Sequence, residues 1–208
     1  MAAVSAASGP ARAQAGPYTR HSHGLEEFFG ALRGKSGLSI LDWAGASQAN
    51  INFITSLGHR LYAEDFYHLL EAHFGPDFQQ GQQEAARVEA FLAQTLSFAP
   101  ASFDGVLVWD MLEYLVPPLL KTVVARLEQI LRPGGCMLAI FHAAERVEPV
   151  PAYFYRIADA GTLLLSLRAM RTPAQLFNNR AIETLFARFR SLKFFLTRDN
   201  LREVIVRR

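Results

Sequence analysis

The stretch SILDWAGASQAN, residues 39–50, decides the fold. Leu38 to Leu41 is an aliphatic run that ends in Asp42 and passes into small residues, the pattern of a buried parallel strand delivering its C-terminal end to a ligand. The turn needs small residues because the backbone there passes close to whatever is bound. Asn50 to Leu57 then carries Ile51, Ile54 and Leu57 at helical spacing and stops at Gly58, so the unit reads strand, turn, helix.

Moving outward, HRLYAEDF (59–66) is a short alternating run ending in Glu64 and Asp65, 22 and 23 residues after Asp42. That spacing suits a second parallel strand whose terminal carboxylate reaches ribose hydroxyls; the strand Arg60–Ala63 leads into Glu64, counting from Gly58 favours Asp65, and both acids also suit a helix cap. Residues 66–92 suggest a helix around Phe66 to Phe74, a polar loop, and a segment Glu84 to Leu92 that is helical or passes into a short third strand. SFDGVLVWDMLEYL (102–115) is a fourth strand with Val106, Leu107 and Val108 buried on both faces, running out into Trp109, Asp110 and Met111. A helix Pro117–Leu131 and the turn Arg132-Pro133-Gly134-Gly135 lead into a fifth strand, Cys136–Phe141, with His142 at its end.

Before the first strand, Leu25, Phe28, Phe29 and Leu32 form one stripe of a helix. After the fifth, Tyr153–Ile157 and Thr162–Leu167 flank Asp159-Ala160-Gly161 as an antiparallel hairpin, and Asn178-Asn179-Arg180 opens a helix. SLKFFLTRDNLREVIVRR makes a terminal hairpin around Asp199-Asn200.

The acid-and-small-residue turn, the Glu64/Asp65 pair, Phe103-Asp104 with Leu112-Glu113-Tyr114-Leu115, the Pro-Gly-Gly turn and the closing hairpin together resemble a class I S-adenosylmethionine-dependent methyltransferase over about residues 25–208. The family's turn reads acid-x-Gly-x-Gly-x-Gly. Here its glycine places fall on Ala44, Ala46 and Gln48, with Gly45 between them.

The resemblance implies an α/β fold: a three-layer Rossmann-like sheet, mostly parallel, with an antiparallel C-terminal hairpin. It implies S-adenosyl-L-methionine as cofactor, held by Asp42, Ala44, Gly45, Ala46, Glu64 or Asp65, Gln94 in the place of the acid that meets the adenine amino group, Trp109 and Asp110. Asp110, Tyr114 and His142 are the candidates for removing a proton from the acceptor, although Asp110 also suits a helix N-cap and a lone histidine is more often a structural contact. In-line transfer asks the protein mainly to align the partners, so the acceptor is not legible; the short inserted hairpin, about 150–168, favours a small molecule over nucleic acid. The alternative reading is a catalytically inactive relative serving as a binding or assembly module, which the altered turn motivates.

Composition sets the outer bounds. The 208 residues, half of them apolar, suit one domain. The single cysteine, Cys136, excludes a disulfide framework and points to a reducing, cytoplasmic setting. No apolar run approaches the ~18 residues of a membrane helix. Residues 1–24 contain no acid and much Ala, Gly and Ser, which reads as a disordered tail, and His21 and His23 in it are too few for a metal site. Net charge is +2, with ten Lys/Arg against three Asp/Glu in residues 168–208, spread as ordinary solvated positions without an interleaved aromatic stripe. A dinucleotide-dependent dehydrogenase fits worse, for want of G-x-G-x-x-G after the first strand; a hydrolase lacks G-x-S-x-G, and a zinc enzyme lacks clustered Cys and His.

Overall fold

The structure, a computed structural model, describes residues 16–197 and 199–208. The elements run β1 (Tyr18–His21), α1 (His23–Leu32), β2 (Ser39–Asp42), α2 (Gln48–Ser56), β3 (Arg60–Ala63), α3 (Phe66–Phe74), α4 (Ala85–Thr95), β4 (Phe103–Trp109), a 3₁₀ turn (Met111–Tyr114), α5 (Pro117–Ile130), β5 (Leu131–His142), β6 (Val150–Asp159), β7 (Thr162–Arg171), α6 (Asn179–Leu185), β8 (Ser191–Leu196) and β9 (Leu201–Arg207).

Six strands form the main sheet in the order β3-β2-β4-β5-β9-β8. β3, β2, β4 and β5 are parallel, and β9 and β8 close the sheet antiparallel, as the two-acid spacing and the terminal hairpin predict. Every residue of β2 is buried, and β4 is buried from Gly105 onward, as expected of central strands covered on both faces. α1 lies on the sheet by its stripe Leu25, Phe28, Phe29 and Leu32. Gly105 makes room for it: a Cβ there would stand 2.6 Å from the Phe28 ring.

Of the two readings open for Glu84 to Leu92 the helical one holds, as α4, so the chain passes from β3 to β4 without a strand ending near Gln94. The leader, by contrast, is not unstructured up to residue 24, because Tyr18–His21 pairs with β7 and Ser22 caps α1, its hydroxyl accepting from the Leu25 N–H at 3.1 Å. Composition averaged over 24 residues hid four with strand character; residues 1–15 lie outside those described. The inserted hairpin is also longer than predicted, and with β1 it becomes a three-stranded antiparallel sheet in the order β1-β7-β6. Arg20 of β1 pins that sheet to the main one through ion pairs to Glu203 and Asp199, each 2.9 Å. Among the described residues, no helix is long and apolar enough to cross a membrane.

Candidate functional site

The site lies where the C-terminal ends of β3, β2 and β4 meet β6. Asp42, at the end of β2, is fully buried and accepts three hydrogen bonds: from the Ala44 N–H at 2.9 Å, the Asn50 amide at 2.7 Å and the Trp109 indole N–H at 2.7 Å. Burial nevertheless pushes its pKa up to about 6 against those donors. Asn50 is fully used in turn. Its Nδ2 also donates to the Tyr155 carbonyl at 3.2 Å, and its Oδ1 accepts from the Ile157 N–H at 2.7 Å, so one side chain clamps β6 to the end of β2. Trp109 holds φ +52°, a left-handed conformation costly for a bulky residue, and its indole lies flat on Tyr155 with ring centroids 4.8 Å apart at 11°.

The turn after β2 is drawn tightly onto the end of β3. Gly45 sits at φ +82°, its N–H donates to the Glu64 carbonyl at 3.0 Å, and Ala44 bridges to Asp65. Ala46 points outward, and Gln48 turns away along α2 to donate to Asn52 at 2.6 Å. The two acids have separate fates. Asp65 caps α3 through the His68 N–H at 3.0 Å and receives a two-pronged bond from Arg168 of β7 at 2.9 and 3.0 Å. Glu64 keeps one buried carboxylate oxygen without a partner, and burial raises its pKa to about 7. Of the pair that spacing left open, Asp65 is taken up by the helix cap and Arg168, and Glu64 keeps the unpartnered oxygen.

Asp110, Tyr114 and His142 do come together. Asp110 is fully buried, makes no cap bond to the 3₁₀ turn it precedes, and leaves both oxygens without a well-formed hydrogen bond. Burial raises its pKa to about 7; nearby His142 opposes that rise without reversing it. His142 Nδ1 lies 2.7 Å from Glu113, which also accepts from the His142 backbone N–H at 2.5 Å. Burial alone would lower the imidazole pKa, but Glu113 outweighs it and the net shift is upward. That leaves His142 Nε2 and the hydroxyls of Tyr114 and Tyr155 buried and unpartnered. Sequence reasoning missed Asn50, Glu113 and Arg168. A polar residue at the third position of α2, beside a strand-ending acid, was the only signal for Asn50.

Gln94 does not join the site. It is exposed on α4, where its side-chain carbonyl lies 2.7 Å from His73 Nε2; the strand meant to carry it does not form. In its acceptors the site suits a ligand that brings hydroxyl or ammonium donors, since Glu64 and Asp110 offer orphaned oxygens at the ends of the strands that flank β2. In space it is shut: Asp42 and Asp110 are wholly buried, Trp109 is 1% exposed, and Tyr155 lies across the indole.

Residues 45–139 match the family model described as a methyltransferase domain. Similar solved structures include a SAM-dependent methyltransferase from Leishmania major, at 17% identity and a TM-score of 0.50 over 88% of this chain and 69% of that one. The glycopeptide N-methyltransferase MtfA, complexed with S-adenosylmethionine, is 17% identical with a TM-score of 0.48, covering 89% of this chain and 94% of its own. A Burkholderia thailandensis 1,6-didemethyltoxoflavin-N1-methyltransferase, solved with that compound and S-adenosylhomocysteine, is 15% identical with a TM-score of 0.46, covering 88% and 74%. At these identities the likeness is one of fold. No curated protein matches the sequence.

Proposed function

We propose that this chain, whose residues 45–139 match a methyltransferase-domain model, is a class I S-adenosylmethionine-dependent methyltransferase that transfers a methyl group to a small-molecule acceptor across the ends of β2, β3 and β4. The observation that carries the reading is the pair Glu64 and Asp110: two carboxylates at strand ends flanking Asp42, with orphaned oxygens and raised pKa values. Buried acceptors without partners are rare in folded proteins, and a ligand's hydroxyl or ammonium groups satisfy them. Glu64 would hold ribose hydroxyls, and the backbone around Gly45 would lie against the ligand.

When bound, the cofactor supplies an electrophilic methyl group on a sulfonium. The chain's own residues then orient and deprotonate the acceptor. Asp110, with a pKa of about 7, is balanced to accept a proton near neutral pH. Glu113 fixes the His142 ring by its Nδ1 and leaves Nε2 free to hold a proton. Trp109, Tyr114 and Tyr155 enclose the position and exclude water, which supports a small acceptor with a flat or apolar body.

Because Tyr155 lies on Trp109, the reading requires β6 to move off the indole before ligand enters. The same closure favours a second reading, a methyltransferase fold that holds no cofactor. Calorimetric titration with S-adenosylmethionine and S-adenosylhomocysteine separates them, using wild type, Glu64→Gln and Tyr155→Ala. The enzyme reading expects binding in wild type, loss in Glu64→Gln and tighter binding in Tyr155→Ala. Absence of binding in folded wild type and in folded Tyr155→Ala overturns it and leaves the non-catalytic module.

A further inference from the structure

We infer that the joint between β1 and α1 binds one divalent transition-metal cation of the zinc class through His21 Nε2, His23 Nδ1 and Glu26 Oε2. These atoms form a nearly equilateral triangle. His21 to His23 is 3.2 Å, His23 to Glu26 is 3.3 Å, and His21 to Glu26 is 3.3 Å. Tetrahedral zinc with bonds of about 2.0–2.1 Å to nitrogen and oxygen needs ligand atoms about 3.3–3.4 Å apart. The triangle therefore has the size of one face of a zinc coordination tetrahedron.

Hydrogen bonding alone explains it poorly. One ring N–H shared between the other ring and Glu26 accounts for two edges of the triangle, but it leaves a bare ring nitrogen facing the carboxylate oxygen at 3.3 Å, lone pair toward lone pair. A cation held between the three atoms would take up the facing lone pairs and remove that repulsion. Two imidazole nitrogens and one carboxylate oxygen form a ligand set suited to zinc with a fourth position open.

The scaffold fixes the backbone from which the three side chains converge. His21 ends β1 opposite Thr162 of β7, and His23 opens α1 with Glu26 one turn later. Between the histidines, the Ser22 N–H donates to the Gly161 carbonyl at 2.8 Å while its hydroxyl caps the helix. Gly161 leaves room for Glu26, since a Cβ there would stand 2.6 Å from the Glu26 Cγ. The two rings pack edge to face at 4.5 Å. All three side chains are about half exposed, and the cluster stands between cavities of about 540 and 660 Å³ that share Glu26, so an open coordination position would face solvent. The sequence reading, which counted only the two histidines, missed the carboxylate that α1 brings to them.

The test uses the full chain stripped with chelator and titrated with zinc sulfate at pH 7.5, read by calorimetry and by competition with a chromophoric chelator. One equivalent should bind with a Kd of about 10 μM or below, and His21→Ala, His23→Ala and Glu26→Gln should each weaken it at least about tenfold, as removing a metal ligand does. His68→Ala should leave it unchanged. Melting curves without zinc check that each variant is folded. Ring resonances of the unmutated protein give a reading free of variants: zinc should shift His21 and His23 and not His68 or His73. Saturation absent below about 100 μM zinc, unchanged affinity in the His21→Ala/His23→Ala double variant, or shifts confined to other histidines would overturn the assignment.

Discussion

Two clusters of converging polar side chains, the acids at the ends of β2 and β4 and the histidines at the β1–α1 joint, differ in one respect: the first is sealed and the second is open to water. In the sealed cluster each group is either saturated, as Asp42 is by three donors, or left charged only at a cost, as Asp110 is. In the open cluster water satisfies whatever the protein does not. The same truncation should therefore cost much in one and little in the other.

The largest effect belongs to Asn50. Replacing it by Ala strips a donor from Asp42 and leaves the Tyr155 carbonyl and the Ile157 N–H without their partner. At ~1–3 kcal/mol for each buried group left unpaired, Asn50→Ala should lose roughly 3–5 kcal/mol in urea denaturation. A loss below about 1 kcal/mol would show that β6 is held down by something else.

Asp110→Asn comes next and has a sign that pH reverses out of ordinary expectation: the variant should be more stable than wild type. The folded-state pKa, about 7, lies above the usual carboxylate value, so the folded chain keeps a proton that the unfolded chain has already released. Asp110's contribution is fully present below the unfolded pKa and is lost as pH rises through about 7. The advantage of Asn should grow by roughly 2–3 kcal/mol between pH 5 and pH 8, measured as the difference of denaturation curves. A difference independent of pH would mean that Asp110 titrates normally.

The contrast between the clusters also marks what the sequence could reveal. β2, β4 and the terminal hairpin were legible because central strands need unbroken apolar runs and a hairpin needs its turn residues; Asp42, Asp110 and His142 followed from where such strands end. Gln94 was misplaced because Glu84 to Leu92 carries both helical and strand signals, and only the packing of α4 on α3 decides between them. The difference between Glu64 and Asp65 comes from Arg168, about a hundred residues away, which engages Asp65 alone and which no local pattern announces. The metal triangle was missed for a similar reason: its two histidines sit in a segment whose composition reads as unstructured, and β7 orders that segment.

Gly45→Ala probes the turn that brings the sealed cluster together. At φ +82° a side chain is strained, and the new Cβ would meet the Asp65 Cβ at 3.2 Å, where the helix cap and Arg168 prevent retreat. A loss of ~1–2 kcal/mol is expected, with Glu64 displaced because its carbonyl holds the Gly45 N–H. Denaturation would read the loss, and weaker S-adenosylhomocysteine binding would read the displacement.

The smallest effect is expected from His21→Ala without metal. The ring is half exposed, its two polar contacts are of the kind water replaces, and the β1 backbone pairing to Thr162 survives the change. Stability should move by no more than about 0.5 kcal/mol, as for ordinary surface positions. With excess zinc the gap should open, because only the wild type gains the free energy of binding, and the melting temperatures of the two proteins should then separate. Removal of zinc should bring them back together, whereas no change of pH or added metal should restore the bonds lost in Asn50→Ala. An open cluster is thus stabilised by what binds to it, and a sealed one by what the chain itself supplies.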